Sequence, residues 1–177
     1  MLFDQETLEG IARQVRMHKH PLITIDGPCA SGKTTLASEL AAQISASVVH
    51  TDDYVIPHVQ KTAERLLREV VIPWTEYQPV RIRRYDCKAD ILLPEKALPE
   101  NDVLILEGSY SNLPGIREKA DVRIFLDVSR ELQERRLRKR ETPESLKRFH
   151  DRWIPLEEAY FAAYGLPDPD CILIAGQ

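Results

Sequence analysis

Apolar positions along the chain form short runs and helical stripes that alternate. Leu8, Ile11, Ala12 and Val15 recur at helical spacing and predict an amphipathic helix within residues 4–18, ending near His20-Pro21. Leu22-Ile23-Thr24-Ile25 is a short β-branched run closed by Asp26-Gly27, which predicts a strand and then a turn. Leu36, Ala37, Leu40, Ala41 and Ile44 mark one face of the next helix. Val48-Val49-His50, Val103-Leu104-Ile105-Leu106 and Val122-Arg123-Ile124-Phe125-Leu126 have strand character, and Cys171-Ile172-Leu173-Ile174 adds a last strand. Parallel strands need crossover connections, so short apolar strands separated by helices predict an α/β, three-layer fold with a mostly parallel central sheet flanked by helices.

The alternation breaks between about 55 and 101. Lys61 to Glu69 predicts one short helix, Val80 to Arg83 alternates like a half-exposed strand, and five prolines at 57, 73, 79, 94 and 99 read as loop or hairpin. Connections of this length inside a compact domain usually carry function. Phe149 to Tyr164 places Trp153, Ile154, Leu156, Tyr160 and Phe161 at helical spacing around Pro155, a pattern favouring core packing over substrate contact by Arg152 or Glu157. The whole chain, 1–177, reads as a single domain.

Composition narrows the partners. A formal net charge of −4 argues against a general nucleic-acid or membrane-surface binder, because such proteins carry excess Lys and Arg to neutralise phosphates. Cys29, Cys87 and Cys171 are widely spaced with no CxxC pair, which fits a reduced compartment. No run approaches the ~18 apolar residues of a membrane span, and the expected location is cytoplasmic. A homo-oligomer is compatible with all of this.

Gly27-Pro28-Cys29-Ala30-Ser31-Gly32-Lys33-Thr34 satisfies GxxxxGK[ST] at every fixed position, between a predicted strand and a predicted helix. Glycines let the backbone curl with its N–H groups inward, the helix start adds partial positive charge, Lys33 reaches the outer phosphates and Thr34 offers a hydroxyl to Mg²⁺. The expected fold is therefore that of the P-loop NTPases and kinases. Gly27, Cys29, Ala30, Ser31, Gly32, Lys33, Thr34 and Thr35 are the candidate ATP-binding residues. Cys29 reads as a small filler or, alternatively, as a thiol perturbed by surrounding dipoles.

Phosphoryl transfer also needs a carboxylate near the metal, a proton acceptor and cations over the γ-phosphate. Glu107 ends a predicted strand before Gly108, at the sheet edge where open α/β folds bind ligands. Asp52 and Asp53 follow another strand at the same edge, and one of them can accept a hydroxyl proton. Residues 134–140, ERRLRKR, pack five cations into seven positions, with Arg136 and Arg140 one helical turn apart. No NKxD guanine-reading sequence occurs, which weakens a GTPase reading. A catalytically idle ATP-binding regulator remains a rival.

With GPCASGKTT, Asp52-Asp53-Tyr54, Tyr85-Asp86, Leu106-Glu107-Gly108 and the arginine-rich segment in that order, the chain resembles the uridine kinase family and its relatives. The likeness implies ATP-dependent, Mg²⁺-assisted phosphoryl transfer to a small-molecule hydroxyl, with a nucleoside favoured and pantothenate or a sugar phosphate as alternatives. It implies that Asp52 is the catalytic carboxylate, that Tyr54 and Tyr85 line the acceptor pocket, and that Glu107 joins Thr34 at the metal. It also implies that Arg136 and Arg140, in a lid at about 130–150, stabilise the transferring group. Trp74-Thr75-Glu76-Tyr77 stands where the family carries a ribose-gripping aspartate, so Glu76 is the substitute, and Trp74 and Tyr77 either stack on a base or pack the hairpin.

Overall fold

The computed structural model describes residues 3–55, 62–86 and 89–176. Helix α1 (Gln5–Val15) is capped by Asp4, whose carboxylate accepts from the Thr7 N–H, and it buries Leu8, Ile11, Ala12 and Val15. Strand β1 (Leu22–Asp26) leads through the glycine loop into α2 (Lys33–Ile44), then β2 (Ser47–His50) and a 3₁₀ turn (Thr51–Tyr54). After the connecting region come β7 (Leu104–Glu107), β8 (Val122–Asp127), α5 (Arg130–Arg140), α6 (Pro143–Arg148), α7 (Ile154–Tyr164) and β9 (Ile172–Ala175).

The five-stranded sheet has the order β2-β7-β1-β8-β9, and every pairing in it is parallel. Side chains alternate between its two faces. Ile23, Ile25, Ile105, Ile124 and Leu126 pack on one side with Leu8 and Ile11 of α1 and Leu36 and Leu40 of α2. Leu22, Leu104, Leu106 and Val49 pack on the other, against Tyr54, Leu66, Val70 and Trp74. Phe125 joins that second face in a smaller cluster with Tyr160 and Leu166. The expected three-layer architecture is the one observed.

Registers fix the functional edge. Glu107 sits opposite Ile25 on one side and His50 on the other, so the ends of β1, β2 and β7 open on one cleft. Gly27, at φ +140°, turns the chain where an added Cβ would strike the Leu126 carbonyl.

The connecting region differs from the single short helix expected there. Helix α3 (Thr62–Leu66) runs on through a π-helical turn (Leu67–Val71) into α4 (Ile72–Thr75), and Lys61 lies outside the described residues. Beyond it lie four two-residue strands, β3 (Arg81–Ile82), β4 (Tyr85–Asp86), β5 (Ile91–Leu92) and β6 (Lys96–Ala97), paired antiparallel as β3-β6 and β4-β5. The same device recurs near the C-terminus, where a π-helical turn (Phe149–Trp153) joins α6 to α7. Each π turn ends two residues before a proline, Pro73 or Pro155. Proline lacks an N–H and its ring crowds the carbonyl four residues back, and the wider turn moves that carbonyl away, so neither proline ends its helix.

Candidate active site

The glycine loop is built to present donors. Helices α1, α5 and α6 each begin with a side-chain cap, whereas α2 begins at Gly32 with none. The Gly27 N–H donates to Asp26, the Cys29 N–H to Glu157 and the Ser31 N–H to the Pro28 carbonyl. Among the described residues, the N–H groups of Ala30, Gly32, Lys33, Thr34 and Thr35 find no protein acceptor. Ser31 Oγ is likewise buried without a partner. Lys33 Nζ folds over the loop, 2.7 Å from the Gly27 carbonyl and 2.8 Å from that of Pro28. Unclaimed donors, an uncapped helix start and a nearby ammonium fit a phosphate chain.

The side of the cleft beside Thr34 is equally compact. Thr34 Oγ1 donates to Glu107 Oε1 at 3.1 Å, and His50 Nδ1 bonds the same oxygen. Glu107 is buried, and the His50 pKa is raised by this hydrogen bond against the opposing cost of burial. A hydroxyl and a carboxylate beside a phosphate cradle suit Mg²⁺, which takes one or two carboxylates and completes its shell with phosphate oxygens and water.

The 3₁₀ turn separates the two aspartates. Asp53 is held by Arg84, with Nε at 2.7 Å and Nη2 at 3.0 Å. Asp52 is open to solvent, and desolvation by the protein around it raises its pKa. Lys33 lowers that pKa, while Glu107, Glu157 and Asp53 add to the rise, so these charges share the cleft with Asp52.

Several expected roles need correction. Tyr54 is only 1% exposed and the Arg65 guanidinium lies 4.9 Å above its ring, so it packs the core under the turn and cannot line a pocket. Trp74 and Tyr77 stack on His20, with ring centroids 3.7 and 4.7 Å away. His20 precedes β1, so this stack and neighbouring Glu76 lie at the edge of the sheet opposite the glycine loop, and Glu76 is not a ribose ligand in this arrangement. Arg140 pairs with Glu141 at 2.6 Å and covers the Phe149 ring, away from the loop. Arg136 does reach the loop, but its Nη1 grips the carbonyls of Ala30 (2.8 Å) and Ser31 (3.1 Å). Trp153 and Leu156, expected in the core, are 37% and 45% exposed.

Tyr85 is buried, and its hydroxyl donates to Asp90. Burial, reinforced by the Glu157 charge, pushes the Cys29 thiol up to about 12, which leaves it a filler rather than an activated thiolate. Cys87 lies outside the described residues.

Four residues at the site escape sequence reasoning. Asp26, wholly buried, accepts from Gly27 N, Asn112 N and the Tyr160 hydroxyl, and desolvation raises its pKa to about 6. Gln133 donates to the Cys29 carbonyl at 3.0 Å, and Ser109 donates to Glu157. His50 reads in the sequence only as the end of a strand.

A family profile described as AAA domain matches residues 23–158. No curated protein sequence matches the chain. Among solved structures, a possible uridine kinase from Bacillus stearothermophilus aligns with a TM-score of 0.73 at 17% identity, covering 96% of this chain and 98% of that one. YFH7 from Saccharomyces cerevisiae, a candidate P-loop containing kinase with a circular permutation, gives 0.64 at 10% identity over 99% and 100% of the two chains. A candidate fructose transport system kinase from Silicibacter sp. TM1040 gives 0.54 at 23% identity over 80% and 84%. At these identities the likeness speaks for the fold alone. With its parallel sheet, its GxxxxGKT loop and a family match running from β1 into α7, the chain belongs to the AAA-domain family and has the fold of the P-loop kinases.

Proposed function

We propose that this protein is a Mg²⁺-ATP-dependent kinase for the hydroxyl of a small molecule, and that the acceptor is a nucleoside. The observation carrying this reading is the placement of Asp52: a carboxylate with no partner among the described residues, close enough to Lys33 and Glu107 to feel their charges, while Asp53 beside it is tied to Arg84. A regulator that only bound ATP would have no use for that carboxylate. The nucleoside preference rests on the resemblance to uridine kinases and on the possible uridine kinase among the structural neighbours.

In this mechanism the loop N–H groups and Lys33 hold the phosphates, and Thr34 and Glu107 would hold the metal. Bound there, Mg²⁺ would supply charge neutralisation to the phosphate oxygens. Asp52 accepts the acceptor's hydroxyl proton as the acceptor oxygen bonds to the γ-phosphorus and the bridging P–O bond breaks. The bridging oxygen keeps the electron pair and leaves on ADP. Lys33 and the loop donors stay fixed while charge shifts toward them, which is where preorganised donors lower a barrier most.

The test is ADP release by purified protein with Mg-ATP against a panel of nucleosides, vitamins, sugars and sugar phosphates. Release dependent on a nucleoside is expected. ATP binding without turnover on any acceptor would overturn the kinase reading in favour of an idle regulator, and turnover on another class would replace the acceptor alone.

A further inference from the structure

The glycine loop is gripped from outside by two helices. Helix α5 contributes Gln133 and Arg136, three residues apart and so on one face, to the carbonyls of Cys29, Ala30 and Ser31. Helix α7 contributes Glu157 and Tyr160, also three apart, to the Cys29 N–H and to Asp26. Cys29 is thereby pinned at both ends: its N–H lies 2.8 Å from Glu157 and its carbonyl 3.0 Å from Gln133.

Glu157 is an expensive choice for this task. It is 6% exposed, and among the described residues no Lys or Arg pairs with it. Its two oxygens are spent on the Cys29 N–H and the Ser109 hydroxyl. A buried carboxylate without a cation costs stability, and here it also sits beside a site suited to a polyanion, which its charge repels. The hydrogen bond itself must supply the return. Pro28 has no N–H and Gly27 gives its own to Asp26, so Cys29 is the first loop residue whose amide could turn either toward a phosphate or away.

We infer that Glu157 is a positioning residue for phosphoryl transfer: by holding the Cys29 amide outward, it sets the curl that leaves the amides of residues 30 and 32–35 free for phosphate. This rests on the kinase reading for its catalytic consequence, but not for its effect on nucleotide binding.

The experiment compares Glu157→Gln and Glu157→Ala in the full chain. Gln keeps an acceptor for Cys29 and can donate to Ser109, and it removes the repelling charge. Glu157→Gln should therefore hold the Kd for Mg-ATP within about threefold of the native value, whereas Glu157→Ala should weaken it about ten- to a hundredfold, the range carried by a lost hydrogen bond to a charged group. The Cys29 amide proton should resonate downfield in the native protein and move upfield in Glu157→Ala. If that variant does not fold, Gln133→Ala removes the other hold on Cys29 and should weaken Mg-ATP about threefold. Equal losses in the Gln and Ala variants would overturn the proposal in favour of a direct role for the charge. Mg-ATP affinity within twofold of native in both Glu157→Ala and Gln133→Ala would overturn it outright. Should the native protein bind Mg-ATP yet phosphorylate nothing, the kinase reading falls while the amide shift and the Kd still decide the role of Glu157.

Discussion

In the proposed kinase, the nucleotide side and the acceptor side of the cleft are built on different principles. The nucleotide side stands on five parallel strands whose buried backbone leaves little freedom, so its side chains arrive at fixed heights along the edge, as Glu107 does between Ile25 and His50. The acceptor side has only two-residue strands in two separate ribbons. What holds it is side-chain chemistry centred on Arg65, 8% exposed, which donates to the Tyr54 carbonyl (3.3 Å) and the Arg83 carbonyl (2.8 Å), pairs with Glu69 and covers the Tyr54 ring. One guanidinium thus ties the turn carrying Asp52 to the helix and hairpin beyond it. The chemistry fixed by backbone is common to many phosphate-binding proteins, and the part that must suit one acceptor is left to replaceable side chains.

The sharpest way to break this comparison is at Asp52, where the two sides meet. Asp52→Asn should lower kcat about 10²–10⁴-fold with Mg-ATP binding retained, because the amide keeps the shape but takes no proton. Asp53→Asn, which loses only the Arg84 tie, should cost far less, and the reverse order in single-turnover rates would move the base to Asp53. Since loss of water raises the Asp52 pKa, the acid limb of kcat/KM should lie above the ordinary aspartate range and vanish in Asp52→Asn.

Lys33→Ala strikes the nucleotide side alone. Turnover should fall about 10²–10³-fold while the thermal midpoint barely moves, because among the described residues Lys33 bonds only loop carbonyls. Activity equal to native would end the reading of this loop as a phosphoryl-transfer site.

Behind the loop, Asp26 offers a third probe. Its folded-state pKa is raised to about 6, so between about pH 4 and 6 the folded protein binds a proton that the unfolded chain lacks. Stability should therefore fall as pH rises through that window, by at most about 3 kcal/mol from this group. Denaturant titrations of Asp26→Asn should show the slope flattened there, and an unchanged slope would assign it to other groups.

The smallest effect tests the acceptor side. If Tyr85 and its ribbon wall the acceptor pocket, Tyr85→Ala should raise the acceptor KM about tenfold, the loss of one aromatic contact, with the Kd for Mg-ATP unchanged. Lost ATP affinity with an unaltered acceptor KM would place the pocket elsewhere.

The same contrast governs what the sequence discloses. The glycine loop is readable because phosphate binding dictates residue type at fixed spacing, and the strands are readable because burial on both faces makes them apolar throughout. Asp26 is not, since a carboxylate closing an apolar run looks like a turn signal until Asn112 and Tyr160 are brought to it from far along the chain. Tyr54 misleads through adjacency: two residues from Asp52, it is turned inward by the 3₁₀ geometry while Asp52 is turned out. Trp74 and Tyr77 mislead because nothing local announces that His20 fills the slot between them. Glu157 hides among aromatic residues whose spacing reads as packing.

Proline is ordinarily the punctuation that ends a helix, yet at 155 it follows a wide turn and the helix runs on. The wide turn over residues 149–153 spends one residue more than a regular turn would, and every side chain beyond it is rotated by about 100° as a result. Glu157 and Tyr160 lie beyond that offset and meet the glycine loop with it in place. Wound as ordinary α-helix with α6 held fixed, the same residues would present both groups more than a quarter circle away from Cys29 and Asp26. The orientation of the outer grip thus goes with a wide turn that ends two residues before Pro155 and four before Glu157.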